Sequence, residues 1–113
     1  GASKPGDPAE VLMLREVLGD EVAARVAVSA TKSMHGHCMG ATGALEAAIT
    51  ALAVHESVLP PTINLHNVAP ECVGVDHVAN TARPADIRVA LAAADGLGGH
   101  NAVLALTRDD AAR

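Results

Sequence analysis

The sequence predicts an α/β chain, and three patterns carry that prediction. From Gly40 to about Glu56 the apolar residues recur at helical spacing, with Ala41, Ala44, Leu45, Ala48, Ile49, Leu52 and Ala53 on one broad face. From Arg25 to Ala30 a short run of mostly apolar side chains suits a strand in a sheet covered on both faces. Near the end, Ile87 to Ala93 and Ala102 to Leu106 are two further apolar runs flanking a Gly-rich turn.

In chain order, residues 1 to 7 contain Pro and Gly and read as a loop. Asp7-Pro8 predicts a helix start, with Asp7 as N-cap and Pro8 at the first helical position. Val11, Leu12, Leu14 and Leu18 continue that helix, and Gly19 closes it. After the 25–30 strand a loop is expected over Thr31 to Met39, followed by the 40–56 helix. Ala47 and Ala51 make the second face of that helix nearly as apolar as the first, which predicts burial on all sides. Glu46 is its one charge before His55, and a carboxylate in such a place needs a partner. Pro60-Pro61 forces an extended segment into Thr62-Ile63-Asn64. Residues 64 to 86 read as irregular, with a brief strand within Val73 to Val78.

Composition narrows the function classes. The chain has 113 residues, half of them apolar, and contains no Phe, Tyr or Trp. Aromatic side chains supply much of the buried area of most cores, so an Ala/Val/Leu core of this size is expected to belong to a larger packed body. A net charge of −5 with scattered Lys and Arg argues against nucleic acid as a partner. No apolar run reaches the roughly 18 residues of a membrane span, and no signal-peptide pattern opens the chain. Cys38 and Cys72 do not form a disulfide framework, and reduced thiols in the cytoplasm are the simplest expectation.

The chemistry concentrates in Lys32-Ser33-Met34-His35-Gly36-His37-Cys38-Met39-Gly40-Ala41-Thr42-Gly43-Ala44. A cation and an imidazole five positions apart lead into a helix start, a pattern suited to stabilising an oxyanion in acyl transfer. Two readings of His37 stand side by side: a donor to developing charge, or a histidine that satisfies backbone groups. Lys32 reads either as an exposed strand-end lysine or as the partner of Glu46. Gly96-Leu97-Gly98-Gly99-His100-Asn101 is either a tight hairpin or a turn whose amides line a pocket; no Lys-Ser/Thr follows it as in a P-loop. Cys38 reads as a small core residue rather than a nucleophile. His35, His37 and Cys38 lack a matching second ligand pair, although Cys72 and His77 lie five apart, so no metal is expected.

Taken together these segments resemble the C-terminal part of a β-ketoacyl-acyl carrier protein synthase, a condensing enzyme of the thiolase-like superfamily. The resemblance rests on three blocks in order. The first is Lys32-Ser33-Met34-His35-Gly36-His37 with Gly40-Ala41-Thr42-Gly43-Ala44 and Glu46. The second is Pro60-Pro61-Thr62-Ile63-Asn64-Leu65, and the third is Gly96-Leu97-Gly98-Gly99-His100-Asn101. Gly6-Asp7 with Ala9-Glu10 is similar to a further stretch upstream. The absence of cysteine from residues 95 to 101 favours the condensing branch over the degradative thiolases.

The resemblance implies the C-terminal half of a layered αβαβα fold, with a mixed sheet and a buried apolar helix, over residues 1–113. It implies that His37 is the second active-site histidine, which hydrogen-bonds the malonyl thioester oxygen. Lys32 organises the site, Glu46 is its carboxylate partner, and Gly98, Gly99 and Leu97 form the turn beside the pocket. No bound cofactor is implied, since acyl chains arrive on the phosphopantetheine of acyl carrier protein. The implied partners are an N-terminal ketosynthase half or a full ketosynthase partner chain, and acyl carrier protein, in an oligomeric assembly. The nucleophilic cysteine and the first histidine would lie before Gly1-Ala2-Ser3. Leu97 stands where the family has a gating aromatic, and Ala94-Asp95 replaces its usual Ser-Phe. A non-catalytic module for pairing or for holding acyl carrier protein is the alternative.

Overall fold

The computed structural model describes residues 3–110. Helix α1 (Gly6–Leu18) and the short α2 (Asp20–Ala23) open the chain, followed by strand β1 (Ala27–Val28) and helix α3 (Lys32–His35). A 3-10 turn, Met39–Ala41, leads into the long helix α4 (Thr42–Glu56), and β2 (Val58–Leu59) follows. A second 3-10 turn, Pro70–Cys72, precedes β3 (Asp76–His77) and β4 (Arg83–Pro84), and the hairpin β5 (Val89–Gly96) and β6 (His100–Thr107) ends the chain.

The helix start is set by Ser3 rather than Asp7. The Ser3 hydroxyl accepts from the Gly6 N–H at 3.0 Å, and the Asp7 N–H reaches the Ser3 carbonyl at 3.1 Å. Asp7 therefore sits inside the first turn, where its carboxylate still complements the helix dipole. Gly1 and Ala2, which the resemblance sets beside the family's first histidine, lie outside the described residues.

Strand pairing comes in three pieces. β1 and β3 run parallel, extended by a parallel bridge between Thr62 and Ala79. β2 and β4 are antiparallel, as are β5 and β6, whose register pairs all eight residues from Val89↔Thr107 to Gly96↔His100. The chain thus mixes both kinds of pairing, in separate two-stranded units among the described residues instead of one continuous sheet. The 25–30 strand shrinks to two residues because the partner β3 is itself only two long. The two final strands lengthen toward each other and leave only Leu97-Gly98-Gly99 as the turn, with Gly98 at φ 84° and Gly99 at φ 82°, conformations that favour glycine.

Few side chains are buried: Val11, Ala23, Val54, Val78 and Ile87 are the apolar ones among the described residues. The chain exposes 7546 Å². A self-contained globular protein of 11.4 kDa exposes about 5,800 Å². Large apolar side chains such as Leu52, Val89, Leu91 and Val103 are among the exposed ones. On α4 only Thr42 and Val54 are buried. Ala44, Leu45, Ala48, Ala51 and Leu52 form a stripe open to solvent, while Glu46, Ala47, Ile49, Thr50 and Ala53 turn inward. The expectation of a helix buried on all sides is therefore not met by this chain's own contacts. Periodicity fixes which residues are apolar; it does not say which polypeptide covers them.

Candidate active site

The site segment is held from three directions. Its base is the strand-end region after β1. There the Ala30 N–H donates to Thr62 Oγ1 at 2.8 Å, and Ser33 Oγ accepts from the Ile63 N–H at 2.9 Å while donating to the Ala30 carbonyl at 2.9 Å. The stiff Pro60-Pro61-Thr62 run thus acts as a splint along the chain that leads into Lys32. Asn80 holds the far end of this splint, accepting from the Leu65 N–H at 3.0 Å and donating to the Leu65 carbonyl.

The expected loop over Thr31 to Met39 contains one helical turn, α3, with Lys32 as its first residue. Gly36 ends that turn at φ 77°, its N–H donating to the Lys32 carbonyl at 2.8 Å. Lys32 Nζ forms an ion pair with Glu46 on α4, fourteen residues away. Their side chains are 21% and 16% exposed, so the pair is largely withdrawn from water and bridges α3 to α4. This is the partner that the carboxylate in an apolar helix required.

His37 follows Gly36 and is exposed. Met39 adopts φ 51°, a left-handed conformation that costs a non-glycine residue energy. In that conformation its N–H donates to His37 Nδ1 at 2.9 Å. An amide N–H can only donate, so Nδ1 carries a lone pair and the ring proton resides on Nε2. Thr42 Oγ1 lies 3.2 Å from the same Nδ1 and accepts from the Cys38 N–H at 2.8 Å. His35 is held in the opposite sense. Its Nδ1 lies 2.7 Å from the Gly36 carbonyl, an acceptor only, and its Nε2 lies 3.1 Å from Thr31 Oγ1.

Lys32 and Glu46 are thus brought together, and His37 is fixed by Met39 and Thr42. Leu97, Gly98 and Gly99 form the tip of the β5–β6 hairpin. Among the described residues no hydrogen bond or ion pair joins the tip to Lys32, His37 or Glu46. Leu97 is 99% exposed. Cys38 is also exposed, which corrects its reading as a core residue: the loop that carries it has no layer above it in this chain. Cys72 is half-buried, and its thiol is pushed up by desolvation and then by the Asp7 and Glu71 carboxylates. His77 Nε2 lies 2.7 Å from the Cys72 carbonyl, so this pair meets through backbone. No group of three or more His, Cys, Asp and Glu side chains converges as a metal site among the described residues. No helix among them is long and apolar enough to cross a membrane.

Sequence reading missed Thr42, Ser33, Thr62 and the backbone of Met39 as parts of the site. Thr42 left a trace, being the one hydroxyl between Met39 and Ile49 in an otherwise Gly/Ala-rich run.

Residues 1–66, which contain Lys32, His37 and Glu46, match the family described as "Beta-ketoacyl synthase, C-terminal domain". The chain belongs to the β-ketoacyl synthase family. It is 43% identical over 109 residues to 3-oxoacyl-[acyl-carrier-protein] synthase 2 of Synechocystis sp., covering 96% of this chain and 26% of that protein. The synthase 2 of Staphylococcus aureus is 44% identical over 112 residues, covering 98% of this chain and 27% of the relative. The chain therefore spans about a quarter of the length of the curated relatives it matches.

Solved ketosynthases share the architecture. The ishigamide ketosynthase/chain length factor superposes with a TM-score of 0.86 at 39% identity, over 93% of this chain and 25% of that one. A type II polyketide ketosynthase, in complex with its acyl-carrier protein and bound to the hexaketide, superposes with a TM-score of 0.83 at 28% identity. That match covers 89% of this chain and 24% of the other. The likeness supports the α/β class and the condensing-enzyme family.

Proposed function

We propose that the chain is the C-terminal portion of a β-ketoacyl-acyl carrier protein synthase and supplies the second histidine and the lysine of a condensing site. The observation that carries this reading is the state of His37: Nδ1 is occupied by the Met39 N–H, and Nε2–H is left as an exposed donor five residues beyond an ion-paired lysine.

Such a donor suits decarboxylation of a malonyl thioester. As the carboxylate departs as CO2, the electron pair of the breaking C–C bond moves into the thioester and places negative charge on its oxygen. The Nε2–H stabilises that oxygen most when it is charged, so the interaction lowers the barrier rather than only binding substrate. The enolate carbon then attacks an acyl thioester on a cysteine, and the thiolate departs. That cysteine and the first histidine would belong to the N-terminal part of the protein. Lys32 with Glu46 fixes the spacing of α3 against α4, and so the loop that carries His37. The Leu97-Gly98-Gly99 turn would border the acyl pocket, with Leu97 in the place of the gating aromatic. The donor substrate would be carried by acyl carrier protein, and the open apolar faces of α4 and the hairpin would be covered by the N-terminal part and an oligomeric partner. Coexistence of Lys32, Glu46 and the prepared His37 favours a catalytic role over a module kept only for pairing.

The test is His37→Ala in the chain assembled with its N-terminal part. Malonyl decarboxylation should be abolished while acylation of the nucleophilic cysteine continues. Unchanged decarboxylation would remove His37 from the reaction.

A further inference from the structure

We propose that Thr42 is the positioning residue that holds His37 in its donor tautomer; the proposal rests on the reading of His37 given above. Three observations lead to it. Thr42 is 5% exposed, one of two buried polar side chains among the described residues, although it sits at the first turn of a helix whose outer face is open. Its hydroxyl oxygen accepts from the Cys38 N–H at 2.8 Å. It also lies 3.2 Å from His37 Nδ1, which already accepts from the Met39 N–H.

The proton count then leaves one arrangement. Nδ1 has a single lone pair and, with an amide donor directed at it, holds no proton. Thr42 can therefore only donate toward Nδ1, while its lone pair takes the Cys38 N–H. The hydroxyl is satisfied on both sides, and Nδ1 is met by two donors from two elements: the strained turn at Met39 and the start of α4. Rotating the ring by 180° about its Cβ–Cγ bond would take Nδ1 away from both. The pair thus fixes ring orientation and tautomer together, leaving Nε2–H as the outward group. The Met39 amide by itself would hold that tautomer only while its costly left-handed turn stays closed. The Thr42 hydroxyl ties that loop to α4 through the Cys38 N–H and so supports the turn as well as the ring.

The experiment uses the chain assembled with its N-terminal part and a malonyl thioester. Thr42→Val keeps the shape of the side chain and removes the hydroxyl. Malonyl decarboxylation should fall roughly tenfold, the scale of one lost hydrogen bond to the reacting group's support. Acyl transfer to the nucleophilic cysteine should be unchanged, and Thr42→Ser should restore decarboxylation. Histidine-selective ¹⁵N spectra should show His37 of the parent protein with an unprotonated Nδ1 and a protonated Nε2, and Thr42→Val should show a tautomer mixture.

A parent protein protonated at Nδ1 would overturn the proposal and needs no variant. So would Thr42→Val decarboxylating at the parent rate, or losing acyl transfer in parallel. If His37→Ala abolishes decarboxylation and Thr42→Val does not slow it, the assignment of His37 survives and that of Thr42 fails. If His37→Ala has no effect, the underlying reading fails first.

Discussion

Two regions of this chain solve the same problem in opposite ways. From Thr31 to Glu46 the groups that matter find partners within the chain: Lys32 with Glu46, His37 with Met39 and Thr42, Ser33 and Ala30 with the Pro60-Pro61-Thr62-Ile63 splint. The β5–β6 hairpin is complete in its backbone pairing, yet its outer face is bare. Leu91 and Val103 are 59% and 60% exposed, and Val89 lies beside them on the same face. Polar groups carry a local requirement, because one withdrawn from water without a partner is costly. Apolar surface carries no such local requirement, and any covering polypeptide will serve. A chain that spans about a quarter of its relatives' length can therefore hold an organised polar segment while its apolar faces stay open.

The sharpest way to break this contrast is a charge on the bare face. Leu91→Asp should abolish assembly with the proposed N-terminal part, while Arg88→Ala, exposed and just ahead of β5, should leave assembly intact. Equal recovery of both variants would mean that the hairpin face is not an interface. Next in size is the ion pair. Glu46→Leu strands the Lys32 ammonium in a site only 21% exposed and should cost the assembled protein about 2 kcal/mol. Lys32→Met with Glu46→Leu should recover part of that loss in chemical denaturation; a double variant as weak as the sum of the single ones would show that the pair does not couple.

A smaller effect should come from Asp86, which the Arg108 guanidinium holds below the usual carboxylate range, chiefly by hydrogen bonding. A lowered folded-state pKa contributes stability that is present above the unfolded value of about 4 and is lost as pH falls through the folded value. Asp86→Asn should therefore be less stable than the parent at pH 7 and converge with it in acid. A constant gap at all pH values would remove the ion pair as the cause. The mildest test compares the two thiols. Cys38, exposed on the site loop, should alkylate faster at pH 8 than Cys72, which is half-buried and held as a thiol by desolvation and nearby carboxylates. Equal rates would place Cys38 under a cover.

The same contrast explains what the sequence could convey. Helix α4, the hairpin and the Lys32–Glu46 pair were legible because each is a local pattern or the answer to a local need: period, a Gly-rich turn, a carboxylate among alanines. The turn α3 was not, since four residues carry no period. Ser3 displaced Asp7 as the start of α1 because capping depends on where the chain enters, and Asp7 already lay beyond the entry. The shortness of β1 depends on β3, nearly fifty residues later. The role of Thr42 depends on a left-handed φ at Met39 that nothing in a Cys-Met-Gly run announces.

The opposed settings of His35 and His37 reach further than acyl chemistry. In its neutral form an imidazole has one lone pair to offer a metal ion. That of His37 is directed at the Met39 amide, and that of His35 at the Thr31 hydroxyl once its Nδ1–H is given to the Gly36 carbonyl. A His-x-His pair, read as text, looks like a chelator. In this loop both rings turn their donor electrons inward, and only N–H remains for His37 to present. Zinc or copper would have to displace the Met39 amide or the Thr31 hydroxyl to reach these lone pairs.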